Sequence, residues 1–476
     1  MFAAVLELNS KVRYGMTSRG TPLFRAIPYA PSLSPVVAGC SERDLSKPLI
    51  GLFTVEDWSQ PYQPGGSYPR AQLIRVLGRA GALQAEIQAL LATYAGRTTG
   101  RQPPLLSIPT PSPHRPLLLP AATFHIDPPG CRDIDDVVTV TPLDVTGLWE
   151  IAISIADVAE AVLPNTPVDI YAKELGATFY DSSGCVLLPM LHPELSEHLL
   201  SLTPGQERNA VSLLLVWNQD TKQVISSRWE LTRICVSKSY TYDQVDTLLL
   251  KQDIKALQIL SEFTETKNSH DMVESLMLRY NAAAGTVLKD GRVGVLRKQQ
   301  AAETADIAAL QCVSAPLFLA QRAATYCSPL EADTTHAALG VDAYAHASSP
   351  LRRYVDLVNQ RALKGILFGN CCGDGDGVIS LLVDHMNTRS KANKRFSRDV
   401  FFQSLLSNNT TDPVEAICIR YSPETKKGKF YVDAWKRCIT VKECDAVQFK
   451  KYIVYWYANQ AQIAWKNRMV FRLSSC

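Results

Sequence analysis

The sequence lacks the features that mark membrane proteins and disulfide-stapled secreted domains. Its first ten residues contain no basic segment followed by an apolar one, so no secretory signal is visible, and no run reaches 18 apolar residues. The twelve cysteines include no C-x-x-C pair, which fits neither a zinc module nor a disulfide framework. We therefore expect no membrane span, free thiols, and an intracellular, reducing location, in the cytoplasm or an organelle matrix.

The sequence also lacks a strong net charge and any internal repeat. The net charge is only +3 over 476 residues, so the total by itself does not demand a polyanionic partner. With 46% apolar and 20% charged residues, the composition is that of an ordinary globular protein. A chain of this length exceeds what one hydrophobic core usually serves, which predicts two to four domains.

A proline-rich segment divides the chain. Residues 103–120 hold seven prolines in eighteen positions, which predicts an extended linker, because proline fixes φ and removes backbone donors. Before it, residues 1–102 combine short β-rich runs such as TPLFRAIPY and QLIRVLG with a helical pattern at 82–95. This pattern predicts a small barrel or sandwich closed by a helix.

The composition changes again after residue 400. Residues 413–476 carry twelve Lys and Arg against five Asp and Glu, with eleven aromatic residues among them. Basic charge interleaved with aromatics suits a β-barrel that follows a nucleic-acid backbone and stacks bases, although most of these aromatics could equally form a core. We therefore predict an RNA-binding β-barrel module over residues 401–476.

The stretch HIDPPGCRDIDDVV at 125–138 concentrates negative charge between apolar flanks. It holds Asp127, Asp133, Asp135 and Asp136 within ten positions. Such a loop can be solvated surface, can bind a hard cation, or can use one acid of raised pKa for proton transfer. The prolines and the glycine constrain the chain between the first two acids, which favours a cation such as Mg²⁺.

Two other acidic motifs fit poorly. An EF-hand is excluded because the required Gly and the Glu at the loop end are absent. The D-x-D-x-[TV] pattern of haloacid-dehalogenase-type phosphatases needs an apolar strand running into the first Asp, and here PPGCR precedes Asp133.

An ordered series of motifs decides between these readings. The four aspartates keep the intervals +6, +8 and +9 of the first signature of the ribonuclease II/ribonuclease R catalytic domain, which the stretch resembles. The further motifs follow in the family's order, from SIADVAEAV at 154–162 through SKSYTYDQV at 237–245 to HAALGVDAYAHASSPLRRYVDLVNQR at 336–361. The resemblance covers residues 121–399 and implies a mixed α+β, RNB-type catalytic domain at 121–400, flanked by OB-like modules. The module at 1–102 resembles the family's cold-shock domains.

The resemblance implies a processive, hydrolytic 3′-to-5′ exoribonuclease that releases nucleoside 5′-monophosphates from single-stranded RNA. It implies Mg²⁺, as a pair of ions with Mn²⁺ as a substitute, held by Asp127, Asp133, Asp135 and Asp136. Asp135 is the position whose mutation should abolish chemistry while RNA binding remains. The resemblance is also compatible with protein partners in an RNA-degradation complex.

Further residues follow from the same motifs. Arg352 and Arg353 in SSPLRRYVD are candidates to hold the reacting phosphate, since the guanidinium binds phosphate bidentately. We predict a helix over 348–367, on which adjacent arginines diverge by about 100°, so only one can face the phosphate. The candidates for contact with RNA are Tyr180, Tyr242, Glu274, Arg389, Lys391, Lys394 and Arg395.

A non-catalytic RNA-binding relative is the alternative. The family usually has two consecutive glutamates where this chain has Glu274 and Ser275, and the flanking modules are trimmed. All four aspartates are nevertheless retained.

Overall fold

The N-terminal strands close into a barrel. The computed structural model describes residues 1–56, 68–98, 100–107, 114–118, 122–312, 316–369, 376–408, 411–459 and 461–474. The barrel strands are β1 (Phe2–Leu6), β2 (Leu23–Pro28), β3 (Val36–Gly39), β4 (Leu49–Val55) and β5 (Arg70–Arg79), closed in the order β1-β2-β3-β5-β4. Closure leaves the barrel without open edges, and Phe24 and Phe53 fill its core. The predicted helix follows as α1 (Leu83–Tyr94), and a short 3₁₀ turn spans Gly96–Thr98.

A twisted mixed sheet forms the centre of the molecule. The strands of this part of the chain are, in sequence order, β6 (Leu117–Leu118), β7 (Thr123–Ile126), β8 (Asp136–Pro142), β9 (Leu148–Ala156), β10 (Phe179–Tyr180), β11 (Val186–Leu188), β12 (Glu207–Asn218), β13 (Gln223–Cys235) and β14 (Lys238–Tyr240). The sheet order is β14-β7-β8-β9-β12-β13-β6, and β10 pairs with β11 separately. The run at 148–158 that alternates like a strand is β9, and its residues Ile151, Ile153 and Ile155 are fully buried.

Helices cover this sheet and connect it to the last module. They are α2 (Val158–Ala161), α3 (Pro167–Leu175), a π-helical turn (Glu194–Leu199), α4 (Tyr242–Lys251), α5 (Lys255–Thr264), α6 (Ser269–Asp290), α7 (Thr304–Cys312), α8 (Tyr354–Phe368) and α9 (Asp376–Ser407). Strands β15 (Leu296–Lys298) and β16 (Thr325–Cys327) pair with each other, and 3₁₀ turns lie at Leu317–Leu319 and Ala337–Leu339. Apolar residues at i, i+3, i+4 and i+7 over Val273–Tyr280 predict a helix at 272–288, and this stretch lies within α6. Among the described residues, no helix combines the length and the apolarity needed to cross a bilayer.

The prediction of a helix over 348–367 is wrong at its start. Helix α8 begins at Tyr354, and Arg353 before it has extended backbone (φ −130°, ψ 123°). The segment that carries the two arginines instead pairs with residues 176–178: the Thr178 amide donates to the Arg352 carbonyl (3.0 Å), and the Tyr354 amide donates to the Gly176 carbonyl (3.0 Å). Those hydrogen bonds outweigh the helical preference of the serine–proline start.

The end of the proline-rich segment joins the sheet. Leu117 and Leu118 form β6, which pairs in parallel with Arg233 and Ile234 at the sheet edge. Residues 108–113, 119 and 120 of this segment lie outside the residues that the structure describes, and so does residue 121, which follows it. Arg115, just before β6, pairs with the buried carboxylate of Asp157 (2.8 Å). The segment is therefore fastened at its C-terminal end.

The C-terminal module is an antiparallel sheet. Its elements are β17 (Val414–Ser422), β18 (Lys427–Val432), a 3₁₀ turn (Asp433–Trp435), β19 (Arg437–Lys442), β20 (Lys451–Ala458), α10 (Trp465–Arg468) and β21 (Met469–Leu473), in the strand order β19-β18-β17-β20-β21. Along β20, Val454 and Trp456 point into the core, whereas Tyr455 and Tyr457 are exposed. The aromatics therefore divide between core and surface as strand alternation requires.

Helices α1 and α9 join the barrel to the rest of the chain. The rings of Tyr94 on α1 and Phe396 on α9 meet edge to face, with centroids 6.3 Å apart. The Tyr94 hydroxyl also donates to the buried carboxylate of Asp399. Residues 387–398 hold five basic residues and no acidic one, and all five lie on α9.

Candidate active site

Three of the four aspartates lie on the loop between β7 and β8, and the fourth begins β8. Asp127 directly follows β7, and Asp136 is the first residue of β8. The buried hydroxyl of Ser201 fixes the loop, because it accepts a hydrogen bond from the Ile134 amide (2.9 Å) and donates to the Arg132 carbonyl (2.6 Å). A loop held in this way is not a freely solvated surface segment.

Three of the carboxylates contact neighbouring polar groups. A ring nitrogen of His125 lies 2.8 Å from Asp127 Oδ2, and the Tyr180 hydroxyl donates to Asp133 Oδ2 (2.9 Å). Asp135 is buried and accepts hydrogen bonds from the Leu351 amide (2.9 Å) and from Arg352 Nε (3.2 Å). These contacts join the acidic loop to β10 and to the segment before α8. Residues far apart in sequence therefore meet at one place.

Negative charge in this cluster exceeds what Arg352 compensates. Burial raises the pKa of Asp135 well above its usual range, against the opposing effect of the neighbouring guanidinium. Burial, together with the charge of Asp127, raises the pKa of Asp136 to about 7. Burial and the nearby carboxylates of Asp127 and Asp133 likewise raise the pKa of the Cys131 thiol. A bound cation would relieve this excess charge.

The two arginines have different environments. Arg352 faces Asp135, and its side chain is 43% exposed, so the guanidinium can reach a ligand in solvent. Arg353 Nη2 instead donates to the buried Asp356 Oδ1 (2.7 Å), which also accepts from the Ser349 amide (2.8 Å). The two guanidinium groups therefore contact different carboxylates, Asp135 and Asp356. Of the two, the geometry directs Arg352 toward the acidic loop.

Both predicted tyrosines lie beside the acidic loop. Tyr180 contacts Asp133 directly, as described above. Tyr242 opens α4, two residues after Tyr240, whose carbonyl accepts a hydrogen bond from the Asp127 amide (3.1 Å). Burial and the charges of Asp127 and Asp136 raise the pKa of Tyr242 to about 12. Its ring stacks on the ring of His270, with centroids 3.8 Å apart and planes at 7°.

Other predicted residues lie apart from this cluster. Glu274 is exposed on α6, and Lys391, Lys394 and Arg395 are exposed on α9. Arg389 Nε donates to the Leu175 carbonyl at the end of α3 (3.0 Å). In the part of the chain that the structure describes, no hydrogen bond or ion pair joins these five residues to the acidic loop. Their contact with RNA stays a prediction.

The sequence reasoning missed several residues that build the site. His125 could have been found, because residues i and i+2 at a strand end share a face and it precedes Asp127 by two. Ser201 and Asp356 carry no local signal, since their partners are distant in sequence. Gln360 is buried; its amide nitrogen donates to the Ala156 carbonyl (2.7 Å) and its amide oxygen accepts from the Ala159 amide (2.9 Å), which gives it a structural role.

The carboxylates of the acidic loop suit Mg²⁺, but they do not by themselves form a complete coordination shell. Carboxylate oxygens are the ligands that Mg²⁺ prefers, and the pKa values of Asp135 and Asp136 are raised, so a bound cation would favour their ionised forms. Among the described residues, no group of three or more His, Cys, Asp or Glu is arranged to hold a metal ion. Magnesium sites usually complete their shell with water and substrate phosphates, with only one or two carboxylates from the protein. The residues present therefore fit a site that substrate helps to form.

Comparison with known proteins identifies the domain. The RNB domain model matches residues 118–265 and 298–369. The 3′-5′ exoribonuclease HELZ2 of Mus musculus is 32% identical over 137 residues, which are 29% of this chain and 4% of that protein. Exoribonuclease 2 of Aeromonas hydrophila is 25% identical over 353 residues, 58% of this chain and 52% of that protein. The matched segments thus span about half or less of these relatives.

Solved structures share the whole architecture. Mycoplasma genitalium RNase R in complex with ribose-methylated single-stranded RNA superposes with a TM-score of 0.75 at 16% identity, covering 99% of this chain and 89% of that one. Yeast Ssd1, a pseudonuclease, gives a TM-score of 0.71 at 14% identity, covering 96% of this chain and 67% of that one. The predicted mixed α/β fold with barrel-like modules is thereby confirmed. The chain belongs to the RNB-domain family that includes ribonuclease II and ribonuclease R.

Proposed function

We propose that this chain is a divalent-metal-dependent exoribonuclease that degrades single-stranded RNA from its 3′ end to nucleoside 5′-monophosphates. One observation carries the proposal: Asp133 and Asp135 contact Tyr180 and Arg352, which come from separate parts of the chain. The cluster combines metal ligands, a phosphate-binding group and an aromatic side chain beside it. The similarity to HELZ2 and Exoribonuclease 2, which are named as exoribonucleases, supports the same activity.

Different residues of the chain would bind the metal, the reacting phosphate and the terminal base. Asp127, Asp133, Asp135 and Asp136 would hold Mg²⁺, which when bound activates the attacking water and stabilises the leaving 3′ oxygen. Arg352 leaves Asp135 and turns its half-exposed guanidinium toward the reacting phosphate, where a planar fork binds two oxygens. Tyr242 supplies a stacking surface for the terminal base, which tolerates any sequence.

The test uses 5′-labelled single-stranded RNA with the purified chain and Mg²⁺. We expect a progressive ladder of shortened products, abolished by EDTA and by Asp135→Asn. Asp144→Asn is the matched control, because Asp144 is exposed on the turn after β8. A hairpin RNA and a DNA oligomer as further substrates define the specificity. Intact RNA in the presence of Mg²⁺ and Mn²⁺ would contradict the proposal.

A non-catalytic RNA-binding protein is the second candidate function. Two observations favour it: the described carboxylates form no three-ligand metal group, and the pseudonuclease Ssd1 has the same fold. This candidate predicts RNA binding that survives EDTA, without cleavage under any divalent ion. The ladder assay with a parallel binding measurement separates the two functions.

A further inference from the structure

The stacked pair of Tyr242 and His270 is built by two helix starts. Tyr242 lies in the first turn of α4, which Thr241 caps in a reciprocal capping box with Gln244. His270 lies in the first turn of α6, which Asn268 caps. Parallel rings with centroids 3.8 Å apart are in close contact across their faces.

Hydrogen bonds fix the register of the two rings. The Ser269 amide donates to Asp246 Oδ1 on α4 (2.7 Å), and the Ser269 hydroxyl donates to the Tyr242 carbonyl (3.1 Å). Ser269 itself is fully buried. The residue next to His270 therefore ties α6 to α4, so the stack is part of a fixed junction between these helices.

The position of the stack links it to the acidic loop. Strand β14 pairs in parallel with β7, which places Tyr240 beside Ile126, directly before Asp127. Tyr242 is half-buried and close to the carboxylates of the loop, whereas His270 is exposed. His270 covers one face of the tyrosine ring, so a stacked base would have to contact the opposite face.

We propose that His270 is a positioning residue that presents Tyr242 to the 3′-terminal base of RNA. It holds the ring in one orientation before RNA binds, so less side-chain freedom is lost on binding. The inference rests on the proposed function, because it concerns the same substrate. It adds a residue outside the motifs that match the family, and it makes the base contact one-sided.

A purely structural role for His270 makes a different prediction. If the stack only stabilised the α4–α6 junction, its loss would weaken every RNA equally or lower stability alone. If His270 positions Tyr242 for a base, its loss matters only when the terminal nucleotide has a base. RNA that ends in an abasic nucleotide separates these two roles.

The experiment measures RNA binding in an Asp135→Asn background, so that the substrate stays intact. The probes are RNA ending in 2-aminopurine, whose fluorescence is quenched on stacking, and the same RNA ending in an abasic site. For His270→Ala we expect about two- to tenfold weaker binding of the base-ended RNA and reduced quenching. Binding of the abasic RNA should be unchanged, and His270→Phe should restore both readouts, because it keeps a ring at this position.

His198→Ala is the matched control, since His198 is also exposed but lies on the π-helical turn. If His270→Ala weakens binding of both RNAs equally, or does not change it, the positioning role is overturned. RNA cleavage by the wild-type chain would in that case still support the proposed function. Absence of RNA binding by the wild-type chain overturns both. Circular dichroism of each variant confirms that it is folded.

Discussion

Arg468 and Glu86 form a buried ion pair, with Nη1 and Oε1 2.6 Å apart, between the C-terminal module and helix α1. Their side chains are only 11% and 1% exposed. Glu86 also accepts hydrogen bonds from the Tyr29 hydroxyl of the barrel (2.5 Å) and from Gln403 Nε2 of α9 (3.3 Å). One carboxylate thus connects the barrel, the long helix and the last module.

Loss of this ion pair should destabilise the assembly of modules. Arg468→Ala leaves Glu86 buried without its cation, which costs about 3–5 kcal/mol. Chemical denaturation followed by tryptophan fluorescence measures the loss. The matched control is Lys436→Ala, which breaks an exposed pair with Asp433 (68% and 61% exposed) and should leave the unfolding curve nearly unchanged. Equal effects of the two variants would contradict a connecting role for Glu86.

The two arginines should differ in what their loss changes. Arg352→Ala should lower kcat by a factor on the order of 10²–10³, because one donor to the reacting phosphate disappears. Arg353→Ala should instead lower stability by about 3–5 kcal/mol, because the buried Asp356 loses its cation. Activity and melting temperature measured on both variants test this division. A larger loss of kcat in Arg353→Ala, with an unchanged melting temperature, would reverse the assignment.

The metal-free protein should become less stable as pH rises. The folded-state pKa of Asp136 is about 7, above the value of about 3.9 for an unfolded aspartate. Its contribution to stability is therefore fully present below pH about 4 and is lost as the pH rises through about 7. In EDTA, Asp136→Asn should reduce this loss, which we expect to be on the order of a few kcal/mol.

Magnesium should act in the opposite direction. Because its ligands must be ionised, Mg²⁺ should raise the melting temperature more at pH 8 than at pH 5. Asp144→Asn serves again as the control and should follow the wild-type curve. A melting temperature in EDTA that does not fall between pH 5 and pH 8 would show that the buried carboxylates are compensated in another way.

Gly285 allows α6 to approach the segment that leads to the arginines. A Cβ at this position would lie 2.8–2.9 Å from backbone atoms of Ala343 and Tyr344. Gly285→Ala should therefore cost about 1–3 kcal/mol, although alanine favours helix, and should lower activity by displacing the segment before Arg352. Thr286→Ala, exposed on the same helix, should be near neutral. Chemical unfolding measures the stability of both variants, and the RNA ladder assay measures their activity. A Gly285→Ala variant more stable than the wild type would contradict the close approach of α6 to the backbone of Ala343 and Tyr344.

Patterns local in sequence predicted much of the fold and part of the site. Hydrophobic periodicity gave β9, α1 and α6, and the intervals between the aspartates identified the loop that carries them. The start of α8 could not be predicted, because it depends on backbone bonds between Arg352–Tyr354 and residues 176–178. Which arginine faces the acidic loop, Arg352 or Arg353, also depends on where α8 starts. The loop support by Ser201 and the stacking of His270 arise only when distant segments meet.

The carboxylates of the acidic loop differ in how much the fold depends on them. Asp135 holds the Leu351 amide in a buried position, whereas Asp127 and Asp133 are partly exposed and contact side chains. In a lineage released from selection for RNA cleavage, substitutions at the exposed positions would cost little and would accumulate first. Position 135 would keep an oxygen acceptor, as Asp or Asn, for as long as the fold persisted. An RNB site that loses catalysis and keeps only RNA binding would therefore lose the exposed Asp127 and Asp133 first and Asp135 last.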